Sequence, residues 1–402
     1  MKKVCRMCKG NKFDKVLDMG LNPLVNSLIE KEDLDKTEAV YPLEVVRCRD
    51  CSLVQTKKPI DSHEIYTAQD YLYYTGDMPT TDEYFTDFAK ELSVNLNPSD
   101  FVVEIGSNDG TMLKNFPCIK LGVDPSTNVV IRALKNGVPT LSAPFNENNA
   151  KNIAREYGKA KVVGGANCIA HIDDLDSLMR GVQVLLADDG VFWVECNYWG
   201  GMVKNKNYAL VYHDHFSYFS LKNWVDYAPK FGLNVFDAYV TEAQGGSLRV
   251  FMAKDNRNLS ERCSGLFEEE ETIGVNTLKV AKQYGKDCQE EAKKLYGVVE
   301  GLKAEGKKIA GYGAAAKGFS VLKLANIDQS HIDYFVDDSP AKQGKYTPVD
   351  HIPVISRQEA ESQLPDYFFI LAHNYAKLII EKEKGFLYKG GKFILVDSSI
   401  VG

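Results

Sequence analysis

Nowhere in this sequence is there a run of about 18 apolar residues, the least a membrane-crossing helix needs, so no membrane span is expected. The first residues, Met1-Lys2-Lys3-Val4-Cys5, have no apolar core behind them, so no secretory signal is expected. Basic residues are in deficit, 48 against 55 acidic ones, giving a net charge of −7. A nucleic-acid partner, which needs a basic face, is therefore not expected. A cytoplasmic chain follows, in which cysteines stay reduced. A full G-x-G-x-x-G fingerprint is missing too. What is present is ordinary for a globular protein, 44% hydrophobic and 26% charged, and 402 residues allow two or three domains.

The nine cysteines are not scattered evenly. Cys5-x-x-Cys8 and Cys48-x-x-Cys51 form two paired knuckles, the donor set of tetrahedral structural zinc. The other five show no metal spacing, and Cys118, Cys168 and Cys196 read as small buried hydrophobes.

The chain is organised around Phe101–Thr111. A short apolar strand runs into a turn carrying Gly106 and Gly110, and Thr111-Met112-Leu113 begins a helical pattern. The next strand ends in an acid, Asp124, placed to accept both hydroxyls of a ribose. The pattern Glu104-x-Gly106-x-x-x-Gly110 suits the adenosine end of S-adenosylmethionine better than a dinucleotide pyrophosphate. Further α/β alternation puts His171 and Glu195 just past two strand ends, where they are expected to face the same crevice.

Three other stretches carry chemistry. Ile65–Gly76 holds four tyrosines, read mostly as packing with one or two phenols in a site. Tyr212-His213-Asp214-His215 sets a phenol and two histidines about a carboxylate, in a chain with only seven histidines. A histidine beside a carboxylate is a candidate general base; His-x-His with Asp is also a possible zinc or iron set, but no second cluster completes it. The turn Gln244–Val250 offers Gly-Gly and Arg249 to a phosphate, or is simply a hairpin with a solvated arginine. After a charged helical region, Ile309–Gly318 repeats the strand, glycine turn and helix start, and Gly311-x-Gly313 suits a phosphate.

In this order the pieces resemble the three-domain nucleotide-sugar C-methyltransferases of deoxysugar pathways, of the tetronitrose C-3-methyltransferase type. The resemblance spans essentially the whole chain: the C-x-x-C pairs, the cradle, Ala166-Asn167-x-x-x-His171, Tyr212-x-Asp214-His215, the Gly-Gly-x-x-Arg249 turn, Gly311–Lys317, and Asp337 to Val354. It implies an α/β architecture: a small N-terminal zinc-binding domain (1–70), a class I methyltransferase Rossmann-like domain binding S-adenosylmethionine (71–255), linking helices (256–305), and a C-terminal Rossmann-like domain that helps hold the nucleotide sugar (306–402). Cys5, Cys8, Cys48 and Cys51 would hold zinc. Glu104, Gly106, Asn108, Asp109, Gly110, Asp124 and Asn167 would hold the methyl donor. His215 would be the base, with His171, Tyr212, Asp214 and Tyr71 or Tyr73 beside it. Arg249, Gly313, Lys317, Asp337, Lys342 and Asn374 would meet the nucleotide-linked keto sugar. Asp214 departs from the family, which has a glutamate there, one methylene longer.

The implied reaction moves a methyl group to a carbon, C-3 by resemblance, of a 4-keto-deoxy nucleotide sugar through an enolate, in a monomer or homodimer. The alternatives are O- or N-methyl transfer to another metabolite, a nicotinamide-dependent sugar oxidoreductase using the second glycine turn, and a non-catalytic zinc scaffold.

Overall fold

A computed structural model describes residues 4–24, 27–66, 71, 73–77, 80–243 and 246–402. Three sheets organise these residues. The first uses β1 (Phe13–Asn22), β2 (Tyr41–Cys48) and β3 (Val54–Thr56), all antiparallel. The central sheet begins with β4 (Phe101–Ile105), β5 (Ile119–Asp124), β6 (Thr140–Ser142), β7 (Ala160–Ala166) and β8 (Leu186–Asn197). A two-residue strand, β9 (Ser217–Tyr218), then leaves to pair with β3. The first sheet is thus completed from the middle of the chain. The antiparallel pair β10 (Asn234–Thr241) and β11 (Ser247–Ala253) closes the central sheet against β8.

The central order is β10-β11-β8-β7-β4-β5-β6. Strand order therefore reverses between β4 and β7, and a ligand crevice opens beyond their carboxyl ends at such a point. The inner strands are buried on both faces, which is why Phe101–Ile105 reads as an unbroken apolar run apart from Glu104.

The helix expected directly after the cradle is not there. Only a 3₁₀ turn, Leu113–Asn115, separates β4 from β5. Pro117 disfavours helical backbone at Phe116, which is extended at ψ 134°, and β5 resumes at Ile119. Met112, Leu113 and Phe116 are buried instead against Phe85, Phe88 and Ala89 of the preceding helix, Thr81–Ser93.

The long helix Leu278–Ala304 joins the first sheet to the third. Its apolar stripe buries Tyr284, Cys288, Leu295 and Val299. Gly285 lies against β1, where a Cβ would stand 1.9 Å from the Val16 carbonyl oxygen, so only glycine allows that approach.

The last sheet has β12 (Ile309–Tyr312), β13 (Phe335–Val336), β14 (Val354–Ile355), β15 (Tyr367–Ile370), β16 (Lys392–Ile394) and β17 (Ile400–Val401). Its order is β14-β13-β12-β15-β16-β17, parallel except for β17. Here too the order reverses at the first strand, between β12 and β15, and the helix Ala316–Ala325 follows its glycine turn.

Candidate active site

The four knuckle cysteines come together despite their distance in sequence. Their sulfurs all lie within 4.8 Å of one another. A tetrahedral zinc with Zn–S near 2.3 Å needs sulfurs roughly 3.8 Å apart, so the set fits the ion. Arg6, inside the first knuckle, is buried and reaches segments far along the chain. It donates to the Thr56 and Phe216 carbonyls, both at 2.9 Å, and pairs with Asp173 at 2.7 Å. Phe216 directly follows His215, so the zinc knuckle braces the segment carrying the candidate base.

The cradle at the end of β4 turns sharply. Gly106 (φ 65°) and Gly110 (φ 79°) take left-handed backbone, as does Asn108 (φ 49°). The space at Gly106 is filled by Cys168, since a Cβ would stand 2.4 Å from the Cys168 Cβ. Asp124 accepts from the amides of Asn108 (3.1 Å) and Ser126 (2.9 Å), locking the loop to the end of β5. Burial pushes its carboxyl up to about 6. Glu104, buried beside Asp109 and Asp124, is raised well above the usual carboxylate range, first by burial and then by those neighbours, and its Oε2 has no partner. Neither Glu104 nor Asp124 is paired with a cation among the described residues. A ligand bearing ribose hydroxyls and positive charge fits this acid-lined cradle, as S-adenosylmethionine does.

The tyrosine-rich segment is pinned over that cradle. Asn108 accepts from Thr75 N–H and donates to the Tyr73 carbonyl, both at 3.0 Å, and Asp109 accepts from Gly76 N–H at 3.0 Å. Asn128 holds Tyr71 through both backbone groups. Residues 67–70 and 72 of the segment lie outside the described residues, as do Gln244 and Gly245 of the later turn.

His171 follows β7 in a 3₁₀ turn, and His215 follows the buried run Tyr208–Tyr212. A backbone bond from Phe216 N–H to the Ala170 carbonyl (2.8 Å) holds the two segments together. The two imidazoles are 5.0 Å apart, and the Tyr212 ring lies 4.0 Å from His215. Burial depresses both histidines: His171 falls to about 4, and His215 well below its ordinary value, helped by His171 and Lys317 nearby. Both are neutral at neutral pH. Asp214 is buried and its carboxyl is pushed up to about 7 by desolvation. The Tyr71 ring lies 5.5 Å from that of Tyr66, and burial, with Asp214 and Asp124 adding to it, holds its phenol well above the usual range.

His213 does not join them. Its buried ring turns toward Tyr41 of the first sheet, 6.0 Å away, so the two histidines of the motif do not share a site. Glu195 and Arg249 also depart from expectation. Glu195 is fully buried beneath the crevice, its carboxylate taken by Tyr84 (2.5 Å) and Arg249 (2.6 and 3.0 Å). Arg249 is bonded through all three guanidinium nitrogens, to Glu195, Tyr84 and Tyr239, and lies over the Phe88 ring. The phosphate role expected for Arg249 has no support in this geometry.

In the last sheet, Gly313 (φ 87°) makes the turn before the helix. Asp337 accepts from Ala314 N–H (2.8 Å) and Ser339 N–H (2.9 Å), and Lys342 pairs with it at 3.2 Å while donating to the Ala314 carbonyl. Lys317, at the start of that helix, is pushed down to about 7 by burial and acts on both His215 and His373. Asn374 follows His373 on the 3₁₀ turn His373–Tyr375 after β15. Tyr66, Asn197 and His373 are site neighbours that sequence reasoning did not single out. Asn197 could have been found from strand periodicity, two residues beyond Glu195 on the same face of β8.

Three family profiles match this chain: "Putative zinc binding domain" over residues 5–66, "Methyltransferase domain" over 78–238, and "C-methyltransferase C-terminal domain" over 242–396. The C-methyltransferase NovU of Streptomyces niveus is 34% identical over 400 residues, covering 97% of this chain and 94% of that protein. Among solved structures, an S-adenosylmethionine-dependent methyltransferase from Clostridium acetobutylicum ATCC 824 is 15% identical with a TM-score of 0.35, over 45% of this chain and 94% of that one. Another, from Anabaena variabilis ATCC 29413, is 14% identical with a TM-score of 0.35, over 46% and 88%.

Proposed function

The chain belongs to the S-adenosylmethionine-dependent C-methyltransferases, with a zinc-binding domain ahead of a class I methyltransferase fold, and we propose that its acceptor is a 4-keto-deoxy nucleotide sugar methylated at C-3. The observation that carries this reading is the neutral pair His171 and His215, set 5.0 Å apart beside Tyr212 and Asp214, next to an acid-lined cradle.

A sugar carbon is a poor nucleophile unless a neighbouring carbonyl acidifies its C–H bond. His215, neutral and buried, takes that proton. His171 or Tyr212 donates a hydrogen bond to the enolate oxygen, a contribution commonly worth about 3–4 kcal/mol per donor. The methyl donor, when bound, supplies an electrophilic methyl group to the carbanionic carbon. Glu104, Asn108, Asp109, Asp124 and Asn167 hold it, with Gly106 and Gly110 shaping the turn, and Tyr71 and Tyr73 close the cradle over the acceptor. Lys317, Lys342, Asp337, Gly313 and Asn374 form the side that takes the nucleotide diphosphate. The proposed location is the cytoplasm, where nine unpaired thiols stay reduced.

The test is incubation of the purified protein with S-adenosylmethionine and a panel of 4-keto-6-deoxy nucleotide sugars, read by mass spectrometry and NMR. A gain of one methylene, placed on carbon, supports the proposal. His215→Ala should then lower turnover by about 10³-fold or more while donor binding stays near normal. Deuterium should enter the sugar from solvent without the methyl donor. O- or N-methyl transfer needs no such exchange, and methylation without it would sink the enolate reading.

A further inference from the structure

His171 and His215 have the same side chain but different neighbours. The His215 Nδ1 lies 2.7 Å from the Leu210 carbonyl oxygen and 2.8 Å from Nδ2 of the Asn197 side-chain amide, whose oxygen and nitrogen exchange places on a half-turn. A carbonyl oxygen can only accept, so Nδ1 carries the hydrogen. The Asn197 amide must then present its oxygen to the same N–H, because two donors cannot face each other. The Nε2 of His215 is left with its lone pair.

His171 has the opposite arrangement. Its Nδ1 lies 2.7 Å from the Tyr66 hydroxyl, and the two rings are stacked at 12°. Tyr66 has no other hydrogen-bond partner among the described residues, so its proton goes to that nitrogen. Burial keeps the phenol protonated. Nδ1 therefore accepts, and the hydrogen of His171 sits on Nε2, which is buried and unpartnered.

We infer that Tyr66 and the Leu210 carbonyl, with the Asn197 amide as a second acceptor beside it, hold the two facing histidines in opposite tautomers, one a bare base and the other a neutral donor, and that Tyr66 is thereby a positioning residue. This rests on the reading of His215 as base and His171 as donor. When the substrate C–H bond breaks, its proton forms the Nε2–H bond of His215 and its electron pair moves toward the carbonyl oxygen. That oxygen receives the His171 Nε2–H hydrogen bond. The new imidazolium keeps two acceptors, the Leu210 carbonyl and the Asn197 amide oxygen, on its other nitrogen. No proton has to be rearranged on either ring before the reaction. The wrong tautomer at a catalytic histidine can cost about 10⁴ in kcat, so fixing it is a substantial contribution.

The test uses the full zinc-loaded chain labelled with ¹⁵N-histidine, with ring nitrogens read by long-range ¹H–¹⁵N correlation near pH 7.5. His171→Gln and His215→Gln assign the signals. The expected spectrum has hydrogen on Nε2 of His171 and on Nδ1 of His215. Tyr66→Phe should move His171 toward a tautomer mixture and leave His215 unchanged; Asn197→Leu, which keeps the Leu210 carbonyl, should leave the hydrogen on His215 Nδ1 and His171 unchanged. Both histidines in one tautomer in the unsubstituted chain, or a His171 signal indifferent to Tyr66→Phe, would overturn the inference. Tyr66→Phe should also slow solvent deuterium entry by up to about 10²-fold with KM within about twofold. The spectrum needs no substrate. Opposite tautomers without methylation of any keto sugar would overturn the acceptor proposal and leave this one standing.

Discussion

Two glycine loops in this molecule are built alike and charged differently. In each, an aspartate at the end of the second strand accepts one amide from the glycine loop and one from two residues downstream: Asp124 from Asn108 and Ser126, Asp337 from Ala314 and Ser339. The lock is the same. The first loop adds Glu104 and Asp109, of which Asp109 meets Arg132 at 3.6 Å, and leaves Asp124 without a cation among the described residues; the second adds Lys342 on its aspartate and Lys317 at its helix start. The first therefore suits a cationic donor with ribose hydroxyls, and the second an anionic one. Backbone geometry makes the same loop in both, and under the proposed function side-chain charge decides which ligand each one takes.

The largest expected effect tests a buried acid beside the histidines. Asp214 has its carboxyl raised from 3.8 to about 7 by burial, so ionising it opposes folding. The sign follows from linkage: its folded form holds the proton more tightly, so stability present below pH 4 is lost as pH rises through about 7. Asp214→Asn should raise stability at pH 8 by up to about 4 kcal/mol, with the gain vanishing toward pH 4, while turnover falls. Thermal melts across pH would show it; Asp337→Asn, which breaks a partnered lock, should lower stability instead. Next in size, Gly106→Ala meets both left-handed backbone and Cys168, and should cost about 3 kcal/mol. Calorimetry should find donor binding lost with it. Gly313→Ala, strained in the same way against Ala372, should leave donor binding near normal.

Smaller again is the charge of Asp124 itself. Asp124→Asn should weaken S-adenosylmethionine binding by about 10²-fold, measured by titration calorimetry. The unsubstituted protein should lose donor affinity as pH falls below about 6, where that carboxyl takes a proton. An affinity flat from pH 5 to 8 would refute the role given to this acid.

Much of this was legible in sequence because strands, glycine turns and terminal acids are local signals. The strand Phe101–Ile105, its turn and Asp124 needed no tertiary information, and the two cysteine pairs declared their chemistry by spacing. The helix after Gly110 was misread because Met112, Leu113 and Phe116 have helical spacing but are buried as a turn, with Pro117 closing it. The pairing of Arg249 with Glu195 is hidden in the sequence because Glu195 lies on the neighbouring strand β8, and antiparallel register, which places Arg249 opposite Glu195, is a tertiary fact. His213 and His215 share a motif but diverge, because a turn sends their rings to different sheets. Asn197 carries no motif at all, and nothing in the tyrosine-rich stretch sets Tyr66 apart from Tyr71, Tyr73 and Tyr74. The part of Asn197 and Tyr66 in the site depends on where the Leu210 carbonyl and the His171 ring stand once the chain has folded.

The smallest prediction sharpens the comparison of the two loops most. Lys342 is partly exposed and holds the second lock through Asp337 and the Ala314 carbonyl. Lys342→Met removes that charge and keeps the length of the stem. A partly exposed ion pair of this kind contributes about 1 kcal/mol at most, so stability should fall only slightly. Affinity for a nucleoside diphosphate should fall about tenfold, because one neutralising charge leaves the anionic side. Affinity for S-adenosylmethionine should stay within about twofold, because its cradle lies in another sheet. Parallel loss of both ligands would mean that the loops act as one unit. Loss of the diphosphate alone would mean that charge, placed on two copies of one backbone device, divides the two ligands between them.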